Sequence, residues 1–358
     1  MLVISVMVAA NPTRRTVTPV YHRAVVHWQG QEGLYTGDYQ YLPHFVPLFI
    51  PYHGLPLVAG EILWRWTAAV GLAWGVWWFS RRGSEKPDNR TFALISLCIL
   101  PLVAPAVQNG QANAHLAACF LLAAVCLASQ RWWWATLLLL LGVAIKPLGL
   151  AVAGLAFAAF PQLGWRLALG LPILAVMPFL FGPASYVQSQ FVDAWLNLRS
   201  CAGVTEHRFA DLNGLLRTVG HPLTGQAALV IRAGAGLVFM GFCWLSRSRL
   251  SPHDRALVWL AAAVVYLMLF NPMTEANSYI IFAPAAGLLS WQFFQNGRKN
   301  AAACVVGMLL TMGLLPVLLY AWLGNSFALA WHPLMTAGFA VLVATSLIPA
   351  PVTETSTA

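Results

Sequence analysis

Charge is what this sequence has least of. Its 20 Lys+Arg and 11 Asp+Glu make up 9% of 358 residues, where a soluble domain carries about 25%. With 59% of the chain hydrophobic, a water-soluble fold is excluded, and an all-α, polytopic integral membrane protein is expected. Acids are scarcer than bases, so the net charge is +9. In a membrane chain that excess holds cytoplasmic loops inside and does not point to nucleic acid. Other things are missing too. There is no Asp-x-Asp, no Gly-rich phosphate loop and no internal repeat. The six cysteines, Cys98, Cys119, Cys126, Cys201, Cys243 and Cys304, have neither metal-ligand nor disulfide-framework spacing. Cys201 falls in an expected loop, and the rest read as small helix-packing residues.

What is there is a series of apolar segments, near 56–79, 92–107, 114–129, 133–145, 148–161, 165–181, 227–245, 256–270, 280–294, 301–323 and 334–348. With Met1–Ala10, too short to span alone, they predict about 11–12 membrane segments. Met1–Ala10 reads as the end of a first membrane helix, or as a signal-peptide remnant without a basic start. Residues 1–348 are expected to form one transmembrane domain, and 349–358 a disordered tail. Two polar stretches, 11–55 and 182–226, interrupt the pattern. The first holds Pro12, Pro19, Pro43, Pro47 and Pro51 and many aromatics, which predicts short interfacial helices. Trp and Tyr, 16 and 9 in all, suit interfacial belts.

Basic residues orient the map. Arg81, Arg82, Lys86, Arg90, Arg131, Arg166, Arg247, Arg249, Arg255, Arg298 and Lys299 crowd one set of short loops. Arg14, Arg15, Arg23, Lys146, Arg199, Arg208 and Arg217 lie on the other, mostly in the two long loops. Short loops weigh most, so the first set is cytoplasmic. Every unusual polar motif then falls on the outer face.

Those motifs carry the chemistry. Gln108–Asn113 is an amide-rich turn whose plainer reading is turn punctuation; Gln111 and Asn113 could instead bond hydroxyls or phosphate oxygens. Lys146-Pro147 ends a Leu-rich segment. Lys146 either snorkels to the headgroups or binds a phosphate as a point charge. Pro147, between two short segments, predicts a helical hairpin meeting a cavity. Glu61 and Arg65, four apart, share a helix face and read as a self-neutralising pair. Arg232 is a similar cation whose partner the sequence does not name. Thr274–Tyr279 adds Glu275 and Asn277, a lone turn acid or a base beside a polar ligand. Tyr21, Tyr35 and Tyr41 sit in the first long loop with Glu32 and Asp38. They are membrane anchors, or platforms for a sugar ring.

Together, Gly110-Gln111-x-Asn113, Arg131, Gly142-x-x-x-Lys146-Pro147 and Trp165-Arg166, with the Tyr21–Pro56 stretch and Leu63-Trp64, resemble glycosyltransferase family 87 over about residues 15–295. The resemblance implies a GT-C-like fold related to polyprenyl-phosphate-mannose-dependent mannosyltransferases. It implies transfer of a mannose-like hexose from a polyprenyl phosphate sugar to a membrane lipid or glycolipid acceptor. The site would face outward from a multi-pass protein of the plasma (inner) membrane. No cofactor or nucleotide-sugar site is expected, and metal dependence is not readable. Many members carry an acid just before the first tyrosine, but here Thr16–Tyr21 has none. Asp38 therefore ranks ahead of Glu275 as catalytic base, and both ahead of Glu32. Gln111, Asn113, Lys146, Asn277 and the three tyrosines are the expected substrate-binding residues. A transporter or flippase of a lipid-linked saccharide would use the same cavity without a base, and a non-catalytic partner in envelope biogenesis is a third reading.

Overall fold

The computed structural model describes residues 1–81, 89–202, 209–324 and 326–345. Among them there is no strand; the chain is a helical membrane protein. The helices are α1 (Leu2–Ala10), α2 (Thr18–Gln29), α3 (Phe45–His53), α4 (Leu57–Arg81), α5 (Asn89–Gln108), α6 (Asn113–Ala128), α7 (Trp132–Ile145), α8 (Gly149–Ala159) and α9 (Gly164–Val176). They continue with α10 (Ala184–Ala202), α11 (Leu212–Thr218), α12 (Gly225–Arg249), α13 (Pro252–Phe270), α14 (Phe282–Gln295), α15 (Lys299–Leu318), α16 (Tyr320–Leu323) and α17 (Ser326–Ala344).

Among the described residues, six segments are long and apolar enough to cross a membrane: Asn89–Gln108, Pro161–Leu180, Gly225–Arg249, Pro252–Phe270, Lys299–Leu318 and Ser326–Ala344. Three apolar helices, α6, α7 and α8, are shorter. Burial separates the roles. Helix α13 is buried along most of its length, whereas α12 turns Leu229, Val230, Leu237 and Val238 outward, as a lipid-facing helix must. Small residues let the inner helices approach. A Cβ on Gly75 would lie 2.5 Å from Leu121, and one on Gly142 would lie 2.6 Å from Phe120.

Two boundaries differ most from the sequence reading. The expected 301–323 segment breaks after Leu318, and the last helix begins at Ser326, well before 334. Pro316 and Pro333 lie inside these helices, so proline did not mark the ends here. The second polar stretch is largely helical, and Cys201 sits at the end of α10 rather than in a loop. Residues Arg82, Lys86, Arg208 and the tail 349–358 lie outside the described residues.

The two long stretches meet at one end of the bundle. Trp28 Nε1 donates to the Phe181 carbonyl at 2.8 Å, Tyr186 Oη to the Glu32 carbonyl at 2.8 Å, and the Leu34 amide to Gln190 Oε1 at 2.9 Å. The Ala210 amide donates to the Thr274 carbonyl. These bonds join residues 11–55, 182–226 and the 271–279 turn into one polar cap.

Candidate functional site

The cap is built on two tight turns. The first joins α5 to α6 through Asn109–Ala112. Gly110 has φ +70°, a left-handed conformation that glycine adopts without a Cβ penalty. A Cβ there would also stand 2.9 Å from Arg65 Nη2. The second turn joins α7 to α8. Lys146 leaves the helix in an extended conformation, φ −144° and ψ 141°, as a residue before proline should. Gly149 then folds back, where a Cβ would be 2.5 Å from the Val143 nitrogen.

These turns and the one after α13 bring five side chains into a single network of hydrogen bonds. Lys146 Nζ donates to Asn113 Oδ1 at 2.9 Å. Asn113 Nδ2 donates to Gln111 Oε1 at 3.1 Å and to Ser278 Oγ at 3.0 Å. Gln111 Nε2 donates to Glu275 Oε2 at 3.2 Å. The amides are buried, Gln111 6% and Asn113 3% exposed, while Lys146 is half-buried and Glu275 exposed. A cation and a carboxylate therefore stand at the two ends of a pair of fixed amides. Burial lowers the Lys146 pKa to about 8, opposed by the Glu275 charge. The ammonium also lies 5.2 Å from the centre of the Tyr41 ring, within cation–π range.

The aromatic residues divide between scaffold and rim. Tyr21 is 1% exposed. Its oxygen accepts from the Ala112 amide at 3.1 Å and lies 2.8 Å from Tyr41 Oη, and its ring packs edge-on against Phe45, Phe49 and Trp64. Tyr21 thus supports the amide turn from beneath. Tyr35 Oη donates to the Tyr41 carbonyl at 2.8 Å and so fixes the segment that presents Tyr41 to Lys146.

Several other expected residues stand apart. Asp38 is exposed and has no side-chain bond among the described residues. Glu32 is exposed too and approaches His27 at 3.8 Å. Asn277 is half-buried with no side-chain bond among the described residues; its neighbour Ser278 makes the contact with Asn113. Sequence reasoning passed over Ser278, although it lies in the same motif. It also passed over Asp193 of α10, whose charge adds to burial in raising the pKa of Tyr35 and Tyr186; nothing in its local sequence marks it.

Glu61 and Arg65 pair as expected, both almost fully buried. Arg232 lies at the edge of the cap; the Tyr266 hydroxyl donates to its carbonyl at 3.3 Å, and its charge opposes the burial that raises the Asp211 pKa.

Among curated proteins no match was found to the chain. The family model for glycosyltransferase family 87 matches residues 39–272, a span that contains Gln111, Asn113 and Lys146. Taken with the helical membrane architecture, this match shows that the chain belongs to glycosyltransferase family 87 and is a membrane glycosyltransferase.

Proposed function

We propose that the chain transfers a mannose-like hexose from a polyprenyl phosphate to a membrane lipid or glycolipid, with inversion, at the outer face of the plasma membrane. The observation that carries this reading is the run Lys146–Asn113–Gln111–Glu275. Inverting transfer needs a cation on the leaving phosphate and a carboxylate on the acceptor. The two must share a site without neutralising each other, and two intervening amides keep them apart.

In this reading Glu275 removes the proton from the acceptor hydroxyl. The freed oxygen bonds to the anomeric carbon as that carbon's bond to the phosphate oxygen breaks. Charge develops on the departing polyprenyl phosphate, where Lys146 stabilises it. Tyr41 stands beside Lys146 and offers a ring face to the sugar. Glu275 takes precedence over Asp38 as base because it is tied to the amide pair, whereas Asp38 is exposed and has no side-chain bond among the described residues.

The test uses full-length protein in lipid nanodiscs with a polyprenyl phosphate mannose donor and an extracted glycolipid acceptor. Glu275→Gln keeps an oxygen for Gln111 but loses the base, so turnover should fall about 10²–10⁴-fold with donor binding retained. Asp38→Asn should leave turnover near normal. The reverse outcome would return the base to Asp38. No transfer by the unsubstituted protein, with flux of the lipid-linked sugar across the bilayer, would replace the enzyme with a flippase.

A further inference from the structure

The Gln108–Gly110 turn is held by its carbonyls, and one arginine organises that hold. Arg65 Nε donates to the Gln108 carbonyl at 3.1 Å. Its Nη2 donates to Thr16 Oγ1 at 2.9 Å, and Thr16 Oγ1 donates onward to the Asn109 carbonyl at 3.0 Å. Nη1 turns back to the Glu61 carbonyl, at 2.8 Å, and to the Glu61 carboxylate. The adjacent Trp64 donates to the Gly110 carbonyl at 2.8 Å. All three carbonyls of the turn are therefore tied to α4 directly or through Thr16. Glu61 is held in turn by His22 Nε2 at 3.0 Å, whose Nδ1 lies 2.9 Å from His53 Nδ1.

An ion pair kept only for packing needs acceptors for its remaining donors, but it does not need those acceptors to lie in the turn that carries Gln111 and Asn113. A carboxylate satisfies only part of the guanidinium's five N–H donors, and the rest must find acceptors once the pair is buried. Here one arm of the guanidinium fork takes the Gln108 carbonyl and a second, through Thr16, the Asn109 carbonyl, in the turn that leads into Gln111 and Asn113. A lysine has no planar fork and cannot reproduce the three directions.

We propose that Arg65 is the positioning residue of the site: its fork fixes the Gln108–Gly110 turn and, through Gln111 and Asn113, sets the orientation and surroundings of Lys146. Arg65 touches no reacting group. The importance of the positioned lysine for a donor rests on the proposed function; the positioning itself does not.

The experiment reads Lys146 with and without a ligand. In full-length protein in nanodiscs, trace acetylation of Lys146 with acetic anhydride is followed across pH by mass spectrometry. Farnesyl phosphate binding is measured on the same samples. Two variants are compared: Arg65→Lys, and the milder Thr16→Val, which removes one arm's acceptor without removing a charge. The unsubstituted protein should titrate near the lowered value of about 8. Both variants should titrate higher, toward the ordinary lysine value of 10.5, as the turn relaxes and water reaches the ammonium. Farnesyl phosphate binding should weaken several-fold in each, and the loss should vanish in a Lys146→Met background. Unchanged titration in both variants, with only a lower melting temperature, would overturn the proposal and leave Arg65 a packing residue. A shifted titration with no farnesyl phosphate binding in any sample would sustain the positioning role and remove the donor reading.

Discussion

Lys146 and Asn113, 33 positions apart, meet through a 2.9 Å hydrogen bond from the ammonium to the side-chain carbonyl. The bond converts a lysine at the end of an apolar helix from a snorkelling side chain into one aimed at a fixed place. Snorkelling needs only a long stem and nearby headgroups. A buried amide acceptor, itself held by Gln111 and Ser278, is more than that.

Removing the charge should separate the two roles. Lys146→Met keeps the stem, so expression and melting temperature should stay close to normal. Binding of a polyprenyl phosphate should weaken by about 1.5–3 kcal/mol, the range for a hydrogen bond to a charged group. Titration calorimetry or tryptophan quenching in nanodiscs would measure it. Loss of folded protein, with unchanged affinity in what remains, would favour snorkelling.

The same lysine predicts a pH dependence. Its folded pKa is lowered to about 8, mainly by burial. The ammonium is therefore mostly present at pH 7 and is lost as pH rises through that value. Affinity for the phosphate should be full below this window and fall above it. Lys146→Arg, which stays charged through the alkaline range, should lose the alkaline limb. A limb that persists in Lys146→Arg belongs to another group.

Asn113 serves three partners at once, so Asn113→Ala leaves Lys146, Gln111 and Ser278 each short of a bond. A buried polar group left unpaired costs about 1–3 kcal/mol. A clear drop in melting temperature is expected together with weaker donor binding. Ser278→Ala removes a single contact and should cost less on both measures. Equal effects from the two would mean that Asn113 is not the hub.

Two glycines should resist even alanine. Gly110→Ala puts a Cβ on a left-handed residue, which costs about 1–2 kcal/mol, and sets it against Arg65 and Thr18. Gly149→Ala meets backbone, which cannot swing aside as a side chain can. Both should lower the melting temperature in detergent, whereas Gly154→Ala, with open space at the Cβ position, should be neutral or stabilising. If all three behave alike, turn packing is not what limits the cap.

Membrane orientation can be read by single-cysteine labelling in a background without native cysteines. Cysteines at Asn109, Leu148 and Ala276 should react with an impermeant maleimide from outside. Cysteines at Gln130 and Asn296, at the other ends of their helices, should react only after permeabilisation. The reverse pattern would put the polar cap on the cytoplasmic side.

The sequence by itself determined the class of this protein and most of its helices. Scarce charge and long apolar runs leave a membrane bundle as the only way to satisfy the backbone. The turn residues Gly110 and Pro147 mark real turns because their backbone requirements are local. The Glu61–Arg65 pair was legible for the same reason, since four residues along a helix is a contact. What only the tertiary structure decided is which polar residues meet. Loop position ranks Asp38 ahead of Glu275 in the sequence, yet nothing within a few residues of either tells which one joins Gln111. Asn277 and Ser278 differ by a single position, and the rotation of a short 3₁₀ turn selects the serine. Arg65 reaches the amide turn across 43 positions. Such contacts are set by how helices pack and where their connections fold back, and no local pattern of residues records that.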